Sequence, residues 1–196
     1  MFPFSRTESE PLLSFEKVQS ALQSRSYSFQ GLQTIPLESV VGSEGRSNDF
    51  ARDFRPEPRH LERIKRLAEA GQEALARPIE VFQVDQVYFI RDGHHRVALA
   101  RSRGKKEIEA LVTQVLSRAS ITAELPGEEV LLRAQLSRFL QETNLDQHAP
   151  NTDFTLKQPE LYATLLQHIE VHRYYLGHDY QKDFTLEEAA ASWHDL

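Results

Sequence analysis

The spacing of apolar positions changes several times along this chain, and each change predicts a different element. In PLLSFEKVQSALQSR (11–25), Phe15, Val18 and Leu22 recur at three- and four-residue steps, which is one face of a helix, and Ser14 stands where an N-cap belongs. GLQTIPLESVV reads as a short β-like run interrupted at Pro36, and the polar, turn-rich GSEGRSNDFARDFRP (42–56) reads as a loop. PRHLERIKRLAEAG then predicts a helix opened by Pro58, striped by Leu61, Ile64, Leu67 and Ala68, and closed by Gly71. Residues 79–84 and 86–91 alternate around a tight connection at Asp85-Gln86 and read as paired strands. A helix from about His95 to Ser102, closed by Gly104, precedes a strand over 107–115, EIEALVTQV.

From Pro126 onward the pattern is entirely helical. GEEVLLRAQLSRFLQET places Leu132, Leu136, Phe139 and Leu140 on one face. LDQHAPNTDFTLKQ is a loop, and PELYATLLQHIEVHRYYLG is a long helix from Pro159 to Gly177. In FTLEEAAASWHDL, Thr185 and Glu188 have capping-box spacing. No stop signal closes that helix, as expected of a shortened relative of a longer protein. The fold class expected is α+β: a small mixed sheet with flanking helices, followed by an all-helical C-terminal region. The divisions expected are an N-terminal helix over 1–30, a sheet domain over 31–118 and a helical region over 126–196.

Composition narrows the function classes. A chain of 196 residues, 40% hydrophobic and 27% charged, suits one good core with a helical appendage. No apolar run approaches the ~18 residues of a membrane span, and MFPFSRTESEPLL lacks a basic segment followed by a long apolar core, so a cytoplasmic protein with no membrane partner is expected. The absence of cysteine excludes disulfides, thiolate metal sites and cysteine nucleophiles. A net charge of −6 argues against a surface that grips nucleic acid throughout. Yet Arg91, Arg96, Arg101, Arg103, Lys105 and Lys106 face only Asp92 within 91–106, a local basic site suited to a small anion. For the last four of these charges, a solvated helix face is an equal reading.

The candidate chemistry lies in RDGHHRVALARSRG (91–104). Phosphate binding, metal binding and helix capping all fit a pair of histidines and an arginine at a strand–helix junction. The junction favours anions, because first-turn amides and the helix dipole point at whatever lies above the turn. Gly93 permits that turn and a close backbone approach, Arg96 can fork onto phosphate oxygens, and His94 and His95 add donors. No metal site is expected. His168 and His172, spaced i, i+4 in HIEVH, read as half-buried packing residues, and Tyr174 and Tyr175 as packing or interface residues. Arg59, Arg63, Lys65 and Arg66 read as a solvated basic face, with a second rim of the anion site as the alternative.

The pattern PIEV-x₆-YFIRDGHHRVALARSRG-x₃-IEALV resembles the ParB/sulfiredoxin superfamily, in which a strand pair runs into a glycine–histidine–arginine turn and a helix. Upstream, QTIPLESVVGSEGR resembles the opening box of that superfamily, so the resemblance covers roughly residues 31–115. It implies a ParB/sulfiredoxin-like sheet domain, and the helices beyond it resemble those of bacterial proteins known only by their ParB domain. Sulfiredoxins carry cysteine where this chain has His94, so their chemistry is excluded. Partition-type ParB proteins bind CTP through a different box and read DNA with a helix-turn-helix, and no convincing basic recognition helix stands in this chain. DGHHR is most similar to the free serine kinase branch. That likeness implies Glu44 as a general base, Arg46, Arg96 and the turn amides as phosphate holders, and Asp92 as a partner of a histidine or of Mg²⁺.

Two readings of Glu44 and Arg46 stay open beside that one, a solvated loop carboxylate and a salt-bridged brace of the turn. The leading expectation is a module that binds a nucleotide (CTP, ATP or ADP, with Mg²⁺) or another phosphate compound through Gly93, His94, His95, Arg96 and Arg46, with NTP hydrolysis or phosphotransfer as its reaction. The alternatives are a DNA-associated regulator, in which the module senses a ligand or forms a homodimer, and a non-catalytic interaction module whose helices do the work.

Overall fold

The structure, a computed structural model, describes residues 12–24, 26–47, 49, 62 and 76–196. Apart from Glu62, the helix expected to open at Pro58, together with Arg59, Arg63, Lys65 and Arg66, lies outside the described residues. The described residues fall into two compact units. The first comprises those within Met1–Lys17, Arg25–Leu116 and Thr122–Glu124, and the second comprises Val18–Ser24, Ser117–Ile121 and Leu125–Leu196.

The first unit holds a mixed sheet of six described strands: β1 (Leu13–Ser14), β2 (Tyr27–Pro36), β3 (Val40–Ser43), β4 (Ile79–Val84), β5 (Val87–Asp92) and β6 (Glu107–Val115). Their order is β1-β3-β5-β4-β6-β2. The β1–β3, β3–β5 and β4–β6 pairs are parallel, and the β4–β5 and β2–β6 pairs are antiparallel. The β4–β5 hairpin turns at Asp85, whose φ of +51° is a left-handed conformation that aspartate tolerates better than most residues. Strand β2 begins at Tyr27, ahead of the Gly31 start that the pattern suggested. Its first four residues are all exposed, so no alternation marks them, and a bulge between Phe29 and Gly31 breaks the register.

Helix α1 (Phe15–Leu22) starts where Ser14 Oγ accepts the Lys17 amide at 3.3 Å, as the N-cap reading required. Phe15, Val18 and Leu22 are buried as expected, and the Phe15 ring stacks on Phe82 at 4.2 Å. Helix α2 (His94–Ser102) packs on the sheet through Val97, Ala98 and Ala100, which join Ile35, Val40, Ile79, Val81, Ile90, Ile108, Ala110 and Val112 in one core. Arg101 reaches back from α2 to the carbonyls of Leu37 and, at 3.1 Å, Val40, so this cation braces the entry to β3. It therefore belongs to neither the solvated face nor the anion site.

The second unit is helical: α3 (Gly127–Thr143), α4 (Leu145–His148), α5 (Glu160–Tyr180) and α6 (Leu186–His194). Leu132, Leu136, Phe139 and Leu140 of α3 bury together with Leu145, Tyr162, Ile169, Ala189 and Ala190. The stretch over 145–158 is not wholly loop, since α4 occupies its first turn. Arg118 ties the unit by donating to the Leu140 carbonyl at 3.0 Å, to Asn144 Oδ1, and to Asp146 Oδ1 at 3.2 Å. The capping box is present: Thr185 Oγ1 accepts the Glu188 amide at 3.1 Å, and Glu188 Oε2 accepts the Thr185 amide at 2.8 Å.

Helix α5 does not stop at Gly177. It continues to Tyr180 and ends at Gln181, whose φ is +51°. A glycine inside a helix costs only about 1 kcal/mol relative to alanine, and here a Cβ would meet the Lys182 carbonyl oxygen at 3.3 Å, so Gly177 makes room for the returning chain.

Candidate functional site

Parallel pairing of β3 with β5 decides what meets at the DGHHR turn. Parallel neighbours end on the same edge of a sheet, so the residues that follow Ser43 lie beside those that follow Asp92. The Glu44 amide extends this pairing by donating to the Ile90 carbonyl at 2.9 Å. The chain then reaches Gly45, whose amide donates to Glu16 Oε1 at 2.6 Å, and Glu16 also accepts from Ser14 Oγ. Those hydrogen bonds, that of the Ser14 hydroxyl first, hold the Glu16 carboxyl below the usual carboxylate range. Glu16 therefore anchors the loop that carries Glu44 and Arg46.

Across from this loop, α2 opens at Gly93 with φ +106° and ψ +18°. A side chain here would be strained and would also collide, since a Cβ would come within 2.5 Å of Ile79 Cγ2. The Gly93 carbonyl accepts the amides of Arg96 (2.8 Å) and Val97 (3.1 Å), which starts the helix. Amides at the head of a helix receive no carbonyl from the helix itself, and here those positions belong to Gly93, His94 and His95.

His94 is 4% exposed and points inward, its Nε2 lying 2.5 Å from Ser43 Oγ. The same hydroxyl lies 3.1 Å from the Glu44 carbonyl oxygen. A hydroxyl has a single proton, so both contacts are satisfied together when His94 Nε2–H donates to Oγ and Oγ–H donates to Glu44. Burial, reinforced by the positive charge of Arg46 and by His95, pushes the His94 imidazole down to about 4, against weaker opposing effects of Asp92 and Asp49. At neutral pH it is uncharged. His95 is likewise buried, at 7% exposure.

Arg96 has a different position from that of a phosphate fork. Its Nη1 donates to the carbonyls of Arg77 (2.8 Å) and Pro78 (2.6 Å), and its Nη2 meets Asp92 Oδ2 at 2.5 Å. The guanidinium thus locks the start of β4 to the turn, and Asp92 partners this arginine rather than a histidine. Glu44 lies in the loop as expected, with its carboxylate 3.7 Å from Arg91 Nε and both side chains substantially exposed. Arg46 is exposed and near enough to His94 for its charge to be felt there.

The structure therefore gathers Glu44, Arg46, Asp92, Gly93, His94, His95 and Arg96 into one neighbourhood. What lies exposed or partly exposed there is Glu44, Gly45, Arg46, Arg91 and Asp92, whereas buried Gly93, His94 and His95 and half-buried Arg96 form its frame. Sequence reasoning assigned no role to Ser43 or Glu16. The only signal for Ser43 was its place next to Glu44, and for Glu16 a Ser-x-Glu step at a helix start. The other flagged histidines lie in the second unit. His172 Nε2 is 3.1 Å from Ser192 Oγ and half-buried. His168, expected to be half-buried, is exposed, because one helical step of about 100° separates it from buried Ile169. Tyr174 and Tyr175 are exposed, their rings meeting edge to face at 5.5 Å.

No described helix is long and apolar enough to cross a membrane. No family model and no curated protein matches the chain. Among solved structures, sulfiredoxin from Arabidopsis thaliana is similar at 26% identity over 41% of this chain and 82% of its own, with a TM-score of 0.30.

Proposed function

We propose that this protein binds a phosphate-bearing ligand, a nucleotide with Mg²⁺, at the head of α2. The observation that carries the reading is the Ser43–His94 contact, which pins the Glu44–Arg46 loop against a helix start that has glycine at its cap. A helix start with partial positive charge and first-turn amides, flanked by an exposed cationic side chain, is a general anion-binding arrangement. In this reading Gly93, His94 and His95 contribute through their amides, and Arg46 contributes charge-assisted hydrogen bonds, with Arg91 at the rim. The side chains of His94 and Arg96 position the turn and do not touch the ligand. The exposed carboxylate of Asp92, next to Gly93, fits the one- or two-carboxylate share that Mg²⁺ takes when phosphate oxygens and water supply its other ligands. The DGHHR resemblance over residues 31–115 agrees with the same ligand class.

NTP hydrolysis or transfer of the phosphoryl group to a small hydroxyl substrate is the reaction such a site would support, with Glu44 as the group that takes the proton. The test is a panel of CTP, ATP, ADP and GTP with Mg²⁺, followed by thermal shift and by release of inorganic phosphate. Stabilisation by at least one nucleotide, lost in Arg46→Ala, is expected, as is loss of turnover without loss of binding in Glu44→Gln. No shift with any of the four would overturn the reading.

A further inference from the structure

The second unit brings together three side chains that the sequence pattern left unrelated. His148 ends α4, while His194 and Asp195 close α6. Asp195 Oδ1 lies 2.9 Å from His148 Nε2 and 3.2 Å from His194 Nδ1, and all three donor atoms lie within 4.8 Å of one another. The two imidazoles are set edge to face with centroids 5.7 Å apart, and the Phe154 ring, 5.9 Å from that of His194, forms an apolar wall on one side. The His148 and His194 side chains are 35% and 28% exposed, so they reach the surface without being loose upon it.

We propose that His148, His194 and Asp195 form a three-ligand site for a divalent transition-metal ion of the Zn²⁺ type. Imidazole nitrogen and carboxylate oxygen are the donors that Zn²⁺ takes in the absence of thiolate, at about 2.0–2.2 Å. Tetrahedral coordination at that length sets donors roughly 3.4 Å apart, close to the 2.9 and 3.2 Å separations. Binding exchanges two N–H···O hydrogen bonds for three metal bonds: each neutral imidazole moves its proton to its other nitrogen, and the carboxylate stays ionised. The fourth position is left to water or to an exogenous ligand. Tertiary structure builds this set, since His148 and Asp195 are 47 residues apart. His178 and Asp179 show the contrast: they too are hydrogen-bonded at 3.1 Å but have no third ligand among the described residues, and they serve as the internal control.

The test uses the full chain without any histidine tag. Calorimetric titration with Zn²⁺ is run in parallel with the visible absorption of Co²⁺ as a probe of coordination. One Zn²⁺ per chain and a Co²⁺ spectrum of four- or five-coordinate type are expected. His148→Gln, His194→Gln and Asp195→Asn each should weaken binding at least tenfold, whereas His178→Gln should leave it unchanged. Circular dichroism of each variant confirms that the helices persist. No Zn²⁺ binding by the unaltered chain would overturn the proposal, and so would binding that survives all three substitutions or disappears in His178→Gln.

Discussion

Ser43 Oγ lies 2.5 Å from His94 Nε2, a buried contact between residues 51 positions apart that joins the end of β3 to the first residue of α2. Replacing Ser43 with alanine leaves a buried imidazole N–H with its acceptor removed, a loss that costs about 1–3 kcal/mol. The Ser43→Ala chain should accordingly unfold at lower denaturant concentration with an unchanged slope. A midpoint equal to that of the unaltered chain would show that the contact adds nothing to stability.

The pH dependence follows from the same histidine. Its folded value, about 4, lies below the ordinary 6.5 because the imidazole is buried and Arg46 is near. Between those two values the unfolded chain takes up a proton that the folded chain refuses, so stability falls as pH falls. The contribution is fully present above pH 6.5, declines through the window and is gone near pH 4, with a loss of at most about 3 kcal/mol. Denaturation midpoints measured from pH 7.5 to 4 should show this decline, and His94→Gln should flatten it.

Gly93 combines a left-handed backbone with a packed surround, so Gly93→Ala incurs both the strain of φ +106° and a collision with Ile79. Conformational strain of roughly 1–2 kcal/mol and overpacking of roughly 1–3 kcal/mol predict a loss above about 2 kcal/mol. Chemical denaturation measures it. A substitution tolerated within about 0.5 kcal/mol would mean that the turn relaxes freely.

Arg96 and Arg46 should separate by what they change. Arg96→Lys cannot reproduce a planar fork that meets the Arg77 and Pro78 carbonyls and Asp92 together, so it should lower stability by about 1–2 kcal/mol. Arg46→Ala removes an exposed cation and should leave the unfolding midpoint within about 0.5 kcal/mol of the original, while it abolishes nucleotide-dependent stabilisation. The opposite pattern, with stability lost at Arg46 and kept at Arg96, would reverse the two assignments.

Much of the fold was already written in the periodicity. Strand β6 occupies the expected 107–115, α3 buries the four residues its spacing picked out, and the capping box at Thr185 forms as its residues demand. These features depend on neighbours within one or two turns of the chain, which is the range over which a pattern carries information. The DGHHR stretch was legible for the same reason: a glycine between a strand pattern and a helix pattern must turn the chain. Tertiary structure alone decided the roles of the side chains around that turn. Which carbonyls Arg96 reaches, and that Ser43 meets His94, depend on β3 and β5 lying parallel and adjacent. That pairing is set by burial of the whole sheet, a long-range property that no local spacing encodes. The convergence of His148 with His194 and Asp195 has the same origin, in the packing of two helices whose sequences do not refer to each other.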